Sequence, residues 1–296
     1  MKQLLVISGK GGTGKTSLTA ALARLAAPLV LADCDVDAAN LYLLAGRELH
    51  EEAAEPFSGG TIARVREADC AGCGACAALC RFEAIELVGR DGALVARVDP
   101  LACEGCGVCI DNCPSGAIDE PEREVGELVR SAGEQGPLVW GRLGAGQPNS
   151  GKLVALVRAR ARALAEQRGL RLVLVDGPPG VGCPVIAAMG GLDAALIVAE
   201  PSLSSLHDLG RVIELCARFS VRPLAVINKA DLHPATAAEI ERWCADRGIP
   251  VLGRIDYDEA FAHAAAAGQS VIDCAPDSAA SHAIAQLWQR LQAELA

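Results

Sequence analysis

The sequence predicts an α/β protein: a parallel sheet with helices on both faces, broken once by a small inserted α+β module. Three observations predict it. Short apolar runs of buried-strand length alternate with helical stretches over most of the 296 residues. A glycine-rich loop, ISGKGGTGKTS at 7–17, joins the first strand to the first helix. Between about 60 and 120 the alternation stops and a cysteine- and glycine-rich segment takes its place. The α/β part therefore covers 1–60 and 121–296, and the insertion 61–120.

Composition agrees with that class. Hydrophobic residues make up 51 % of the chain but aromatic residues only 3 %, so Ala, Val, Leu and Ile must build the core, as suits parallel strands covered by helices. A formal charge of -10 argues against general binding to DNA or to an anionic membrane, since both need a basic face. The arginines of RARARALAEQRGLR (158–171) fall on several sides of a helix and read as a solvated face. No apolar run reaches the roughly 18 to 20 residues that span a bilayer, and the N-terminus enters a strand directly, so a cytoplasmic location without stable membrane insertion is expected. Thirteen cysteines are then unsuited to disulfides and read as metal ligands.

Taken in order, KQLLVIS (2–8) is a short buried strand, and TSLTAALARLAA (16–27) has the spacing and alanine content of a helix. PLVLADCD (28–35) is the second strand. A strand, loop, helix, strand order begins a parallel sheet with a right-handed crossover. Further strands read at 171–179, 194–201, 223–231 and 250–256. In the C-terminal helix Ile284, Leu287, Trp288, Leu291 and Leu295 share one face and are expected to dock on the core.

The insertion repeats. Shifting 70–85 by 33 positions places it on 103–118, keeping the pattern C-x-G-C-G-x-C-x-x-x-C-x-x-x-A-I throughout. Two such halves imply a module with pseudo-twofold symmetry.

Gly9, Gly14, Lys15 and Thr16 satisfy G-x-x-x-x-G-K-[ST] between a strand and a helix. Backbone amides of Gly11, Gly12, Thr13, Gly14 and Lys15 would cradle phosphates at the helix N-terminus, which Ser17 continues. Lys15 would reach the β and γ phosphates, and Thr16 would hold Mg²⁺. With Lys10, the run KGGTGKT resembles the deviant Walker A motif of the MinD, ParA and nitrogenase iron protein superfamily of P-loop ATPases. The resemblance implies that Lys10 reaches the nucleotide of a dimer partner, whether a second copy or a related ATPase. ADCDVDAANL (32–41) resembles that family's switch I, with Asp35 positioning the attacking water and Asp33 near Mg²⁺; Asp37 reads as a helix cap. LVLVDGPPG (172–180) resembles Walker B and switch II, making Asp176 a Mg²⁺ acid acting through water. Asn228 matches the adenine-binding asparagine, yet Asn228, Lys229 and Asp231 also spell the guanine pattern of GTPases; the loop and switches favour ATP.

Each cysteine repeat has the C-x2-C-x2-C-x3-C spacing of bacterial two-cluster ferredoxins, in which the fourth cysteine ligates the other cluster. The likeness implies one [4Fe-4S] cluster on Cys70, Cys73, Cys76 and Cys113 and another on Cys103, Cys106, Cys109 and Cys80. The proline that follows the fourth cysteine is Pro114 in the second repeat but Arg81 in the first. Of the other cysteines, Cys34, Cys216, Cys244 and Cys274 read as buried structural thiols. Cys183 stands seven residues after Asp176, like the cluster-bridging cysteine of nitrogenase iron protein, but 136–151 has no partner cysteine. The C-x-x-C of the Mrp group of iron-sulfur carriers is absent beyond Cys113. The implied function is an ATPase coupling nucleotide to electron transfer or metallocofactor assembly with a protein partner. The alternative is a MinD- or ParA-like spatial organiser with redox-sensing clusters.

Overall fold

The computed structural model describes residues 1–46, 48–90, 92–144, 150–202 and 204–296, apart from the Ser150 side chain; part of the 136–151 stretch lies outside them. The chain forms two compact units, Met1–Glu55 with Glu127–Ala296, and Pro56–Gly126. Elements are numbered along the whole chain.

The larger unit is built on a mostly parallel sheet. The strands of the sheet are β1 (Lys2–Ile7), β2 (Val30–Asp33), β3 (His50–Thr61), β8 (Glu122–Gly133), β9 (Gly136–Leu143), β10 (Leu172–Asp176), β11 (Ala194–Ala199), β12 (Arg222–Asn228) and β13 (Val251–Ile255), in the order β13-β12-β11-β1-β10-β2-β9-β8-β3; β3 belongs to this unit up to Glu55 and β8 from Glu127. The central strands are buried on both faces, which is why LLVI (4–7) and AALIVA (194–199) read as unbroken apolar runs. Helices α1 (Lys15–Ala26), α4 (Ser150–Arg168), α5 (Cys183–Met189), α6 (Ser205–Arg218), α7 (Pro234–Ala245), α8 (Ala260–Ala266), α9 (Val271–Cys274) and α10 (Ala279–Leu295) complete the unit. In α10 Ile284, Leu287 and Leu291 are buried against the core, with Trp288 and Leu295 beside them, as the periodicity predicts. Among the described residues no helix is long and apolar enough to cross a membrane.

Parallel pairing aligns the chemistry. Val6 lies opposite Asp176, and Asp176 opposite Asp33, so both acids stand at the carboxyl ends of successive strands, β10 and β2, on one side of the loop that leaves β1. The first crossover skips the place of β10, leaving a switch in strand order where ligands of open α/β sheets bind.

Two expectations need correction. The sheet gains β9, parallel to β2, and beyond it β8 and β3, where the sequence reading placed no strands. Arg158 is also buried rather than solvated. It donates to Gln3 Oε1 at 2.8 Å and to the Gly190 carbonyl, and burial pulls its guanidinium below the usual range. The neighbouring Arg160 and Arg162 do lie at the surface, paired with Glu55 and Glu166.

The smaller unit contains β4 (Arg64–Val65), α2 (Ala75–Leu79), β5 (Ile85–Arg90), β6 (Ala93–Val98), α3 (Val108–Asp111) and β7 (Ile118–Asp119). The repeat of 33 residues is carried into three dimensions. Arg64 pairs with Asp119 and Val65 with Ile118, while Arg97 pairs with Glu86 and Val98 with Ile85. Both pairings carry an Arg–acid ion pair. The core joins Ala63 to Ala96, Cys76 to Cys109 and Ile85 to Ile118, three couples each 33 apart. Gly72 and Gly105 share a left-handed φ of 63° and 62° and back onto the carbonyls of Leu94 and Thr61, where a Cβ would come within 2.2 and 2.4 Å. Gly107, at φ 76°, has nothing within 4 Å of such a Cβ. Gly105→Ala is therefore expected to destabilise the full chain by more than the roughly 1 to 3 kcal/mol of left-handed strain that Gly107→Ala alone incurs. Urea unfolding measures both; equal losses would make the Thr61 contact irrelevant.

Candidate functional site

The glycine loop departs from a strand buried from Gln3 to Ile7 and turns through left-handed φ values of 78° at Gly12 and 87° at Gly14. Gly14 is the N-cap of α1, and no side chain caps that end, so the first amides of the helix keep their donors free for an anion. A Cβ on Gly11 or Gly12 would meet nothing within 4 Å, whereas one on Gly14 would lie 2.4 Å from Asn228 Nδ2. The loop is thus open on one side and tightly backed on the other. Thr13 and Lys15 are buried, Thr16 and Ser17 half-buried.

Lys15 Nζ lies 3.0 Å from Asp176 Oδ2 and 4.0 Å from Asp35 Oδ2. Thr16 Oγ1 donates to the same Asp176 oxygen at 2.7 Å, and Thr19 Oγ1 to the other at 2.8 Å. Asp176 is fully buried, so these three partners compensate its charge. Thr19 is absent from the motif and became visible only through this contact.

Asp33 is organised differently. Its carboxylate accepts the N–H groups of Asp35, Asn40 and Leu41 at 3.0, 3.1 and 3.0 Å. It thereby folds the 35–41 loop onto the end of β2, a capping duty the sequence reading gave to Asp37, which is exposed in a turn. Burial raises the Asp33 pKa, and the Asp176 charge raises it further, outweighing the backbone donors and Lys15. Asp35 also rises, again through burial first, although Lys15 opposes it.

Lys10 points to its own chain: Nζ is 2.6 Å from Glu200 Oε1 and 2.8 Å from Ser202 Oγ. Glu200, at the end of β11, also meets Lys229 Nζ at 3.3 Å, and Lys229 donates to the Gly12 carbonyl at 2.9 Å. Burial works against the ionised Glu200, but the two lysines outweigh it and hold its carboxyl below the usual range. Glu200, Ser202 and Lys229 were missed as a group because charge pairing across strands leaves no spacing in sequence.

Asn228 Nδ2 donates to the Thr13 carbonyl at 2.7 Å, which ties β12 to the loop. Its Oδ1 and the Thr13 hydroxyl are buried and have no hydrogen-bond partner among the described residues. Asp231 accepts the Tyr257 N–H at 2.6 Å.

In the smaller unit one cavity is lined by Cys80, Cys103, Cys106 and Cys109, with Phe82 and Ile85 among its walls. A thiol of the first repeat thus faces the same space as three of the second. Burial raises the Cys76 thiol, whose thiol neighbours include Cys70 and Cys113; burial likewise raises Cys109, beside Cys103 and Cys106. The Ser115 hydroxyl, followed by local backbone N–H groups, holds the Cys113 thiol below its usual range. Among the described residues no three His, Cys, Asp or Glu side chains converge on a single metal ion. Cubane ligands each bind a different iron, so their sulfurs stand wider apart. Cys34, Cys216 and Cys244 are buried as expected, but Cys274 is exposed at the end of α9, a helix too short to bury it; Cys183 is exposed too.

The CobQ/CobB/MinD/ParA nucleotide binding domain family matches residues 4–272. An uncharacterized protein of Methanocaldococcus jannaschii, MJ0578, is 33 % identical over 234 residues, covering 78 % of this chain and 79 % of its own. A cytosolic Fe-S cluster assembly factor of Eremothecium gossypii, NBP35, is 26 % identical over 140 residues, 42 % of each chain. The MinD cell division protein of Aquifex aeolicus shares the fold at a TM-score of 0.54 and 19 % identity, covering 99 % of this chain and 97 % of its own. MinD of Pyrococcus horikoshii, solved with Mg-ADP, superposes at 0.56 with 17 % identity, covering 98 % and 95 %.

Proposed function

Since this chain belongs to the CobQ/CobB/MinD/ParA nucleotide-binding family, we propose that it binds and hydrolyses ATP with Mg²⁺ as a nucleotide-dependent dimer and carries two [4Fe-4S] clusters on its inserted module. Lys15 engages the β and γ phosphates, displacing its ion pair with Asp176. Thr16 would hold Mg²⁺, and Asp176, released from Lys15, would support it through water. Asp35 positions the attacking water. Asp33 acts by shaping the loop that presents Asp35, since its oxygens already accept three backbone donors. Lys10, freed from Glu200, crosses to the nucleotide of the dimer partner. Adenine fits better than guanine: a guanine edge donates two N–H groups to a free carboxylate, and Asp231 already accepts from Tyr257.

The observation that carries the iron-sulfur reading is the grouping of Cys80 with Cys103, Cys106 and Cys109 around one cavity. Crossed ligation of that kind belongs to two-cluster ferredoxins. The clusters would supply one-electron chemistry, and the nucleotide cycle would control when a redox or metallocofactor partner receives it. The Fe-S assembly factor among the relatives points the same way.

Anaerobically purified protein should hold about eight irons per chain, from two four-iron clusters, and ATP should outcompete GTP for its nucleotide site. Stoichiometric zinc without iron would sink the cluster assignment; a preference for GTP would return Asp231 to the base.

A further inference from the structure

Because each of the eight cysteines of the module has a counterpart 33 residues away in matching backbone, the repeat supplies its own internal comparison. In the set Cys70, Cys73, Cys76 and Cys113, Cys70 Sγ accepts the Ala96 N–H at 3.5 Å and Cys113 Sγ the Ala117 N–H at 3.3 Å. Ser115 Oγ lies 3.6 Å from Cys113 Sγ. An iron-bound thiolate has no proton, so the hydroxyl must be the donor. In the other set, Cys80 Sγ accepts the Ala84 N–H at 3.4 Å, the counterpart of the Ala117 bond. Among the described residues the only other donor to those four sulfurs is the N–H of Cys109 itself, beside its own thiol, and no hydroxyl reaches any of them. Where the second repeat has Ser115 and Asn112, the first has Phe82 and Leu79, which line the Cys80 cavity together with Val108.

Reduction adds one negative charge to a centre that is already anionic. Donors to the sulfurs stabilise the added charge and raise the potential, whereas an apolar wall offers it nothing. Arg81 works in the opposite direction beside Cys80, but it is exposed and solvent screens its charge.

Resting on the two-cluster reading, we propose that the sites are electronically unequal: the Cys113 set takes the first electron, and Ser115 against Phe82 is the pair that separates them. A one-electron donor such as dithionite, added stepwise, should reduce the Cys113 set from [4Fe-4S]²⁺ to [4Fe-4S]⁺ before the Cys80 set.

The test is a reductive titration of the full holoprotein followed by electron paramagnetic resonance, with iron counted first. Two waves should appear, separated by at least about tenfold in electron affinity, which is 59 mV for one electron. Ser115→Ala should lower the upper wave alone. Phe82→Ser, which copies the other repeat, should raise the lower wave alone and narrow the gap. A Ser115→Thr variant, keeping the hydroxyl, should leave the upper wave in place. Eight irons with coincident waves, or a Ser115→Ala shift confined to the lower wave, would overturn the inference while leaving the cluster reading intact. Absence of iron would overturn both.

Discussion

Lys15→Ala should lower ATP affinity by at least about 100-fold, while Lys10→Ala leaves it close to the native value. Lys15 is buried at the head of α1, where its ammonium meets Asp176 and Asp35 beside the uncapped helix end. Hydrogen bonds to charged groups contribute about 1.5 to 3 kcal/mol each, so losing those to two phosphates corresponds to 100-fold or more. The same substitution strands the buried Asp176 carboxylate, and breaking a buried pair from one side costs about 3 to 5 kcal/mol. A thermal melt must therefore accompany the titration, to separate lost binding from lost fold. Lys10 is different in kind. Its ammonium rests on Glu200 and Ser202 and touches no loop amide. Its removal spares the cradle but deprives a dimer partner of its cross-reaching cation, so ATP-dependent dimerisation and hydrolysis should fall while binding persists. Equal loss of nucleotide in both variants would make Lys10 a binding residue of its own chain.

What could be read from the sequence was whatever local chemistry dictates. A loop that must turn twice through left-handed φ requires glycine at Gly12 and Gly14, and six strands of the sheet are apolar enough to stand out. The repeat was legible for the same reason: Gly72 and Gly105 back onto carbonyls, where a side chain has no room. What escaped depends on partners distant in sequence. The hairpin of β8 and β9 turns on two residues, Glu134 and Gln135, between Gly133 and Gly136; LVRSAG and GPLVWG around it were a strand signal overlooked beside the cysteines. Arg158 is one of several similar arginines, and only the approach of Gln3 and the Gly190 carbonyl makes its burial tolerable. Glu200 looks like an ordinary strand end until Lys10 and Lys229 close on it.

Single and paired cysteine variants should show which thiols share a cluster. Cys80→Ala and Cys113→Ala should each reduce iron from about eight to about four per chain, but these counts alone do not reveal which half has emptied. The geometry predicts crossing. Cys76 lies inside α2 and Cys80 just past its end, so four helical residues carry the fourth thiol about 6 Å along the axis, at 1.5 Å per residue, away from the first three. There Cys80 faces the cavity of Cys103, Cys106 and Cys109. Pairing each variant with Cys73→Ala decides the matter. Under crossed ligation Cys73 and Cys113 serve one cluster, so removing both should cost nothing beyond either alone and leave about four irons. Cys73 and Cys80 serve different clusters, so removing both should empty the module. Ligation within each repeat would give the reverse: four irons without Cys73 and Cys80, none without Cys73 and Cys113. Because both doubles lack two thiols, general damage to the module would lower them equally, and only the wiring of the sulfurs can make their iron contents differ.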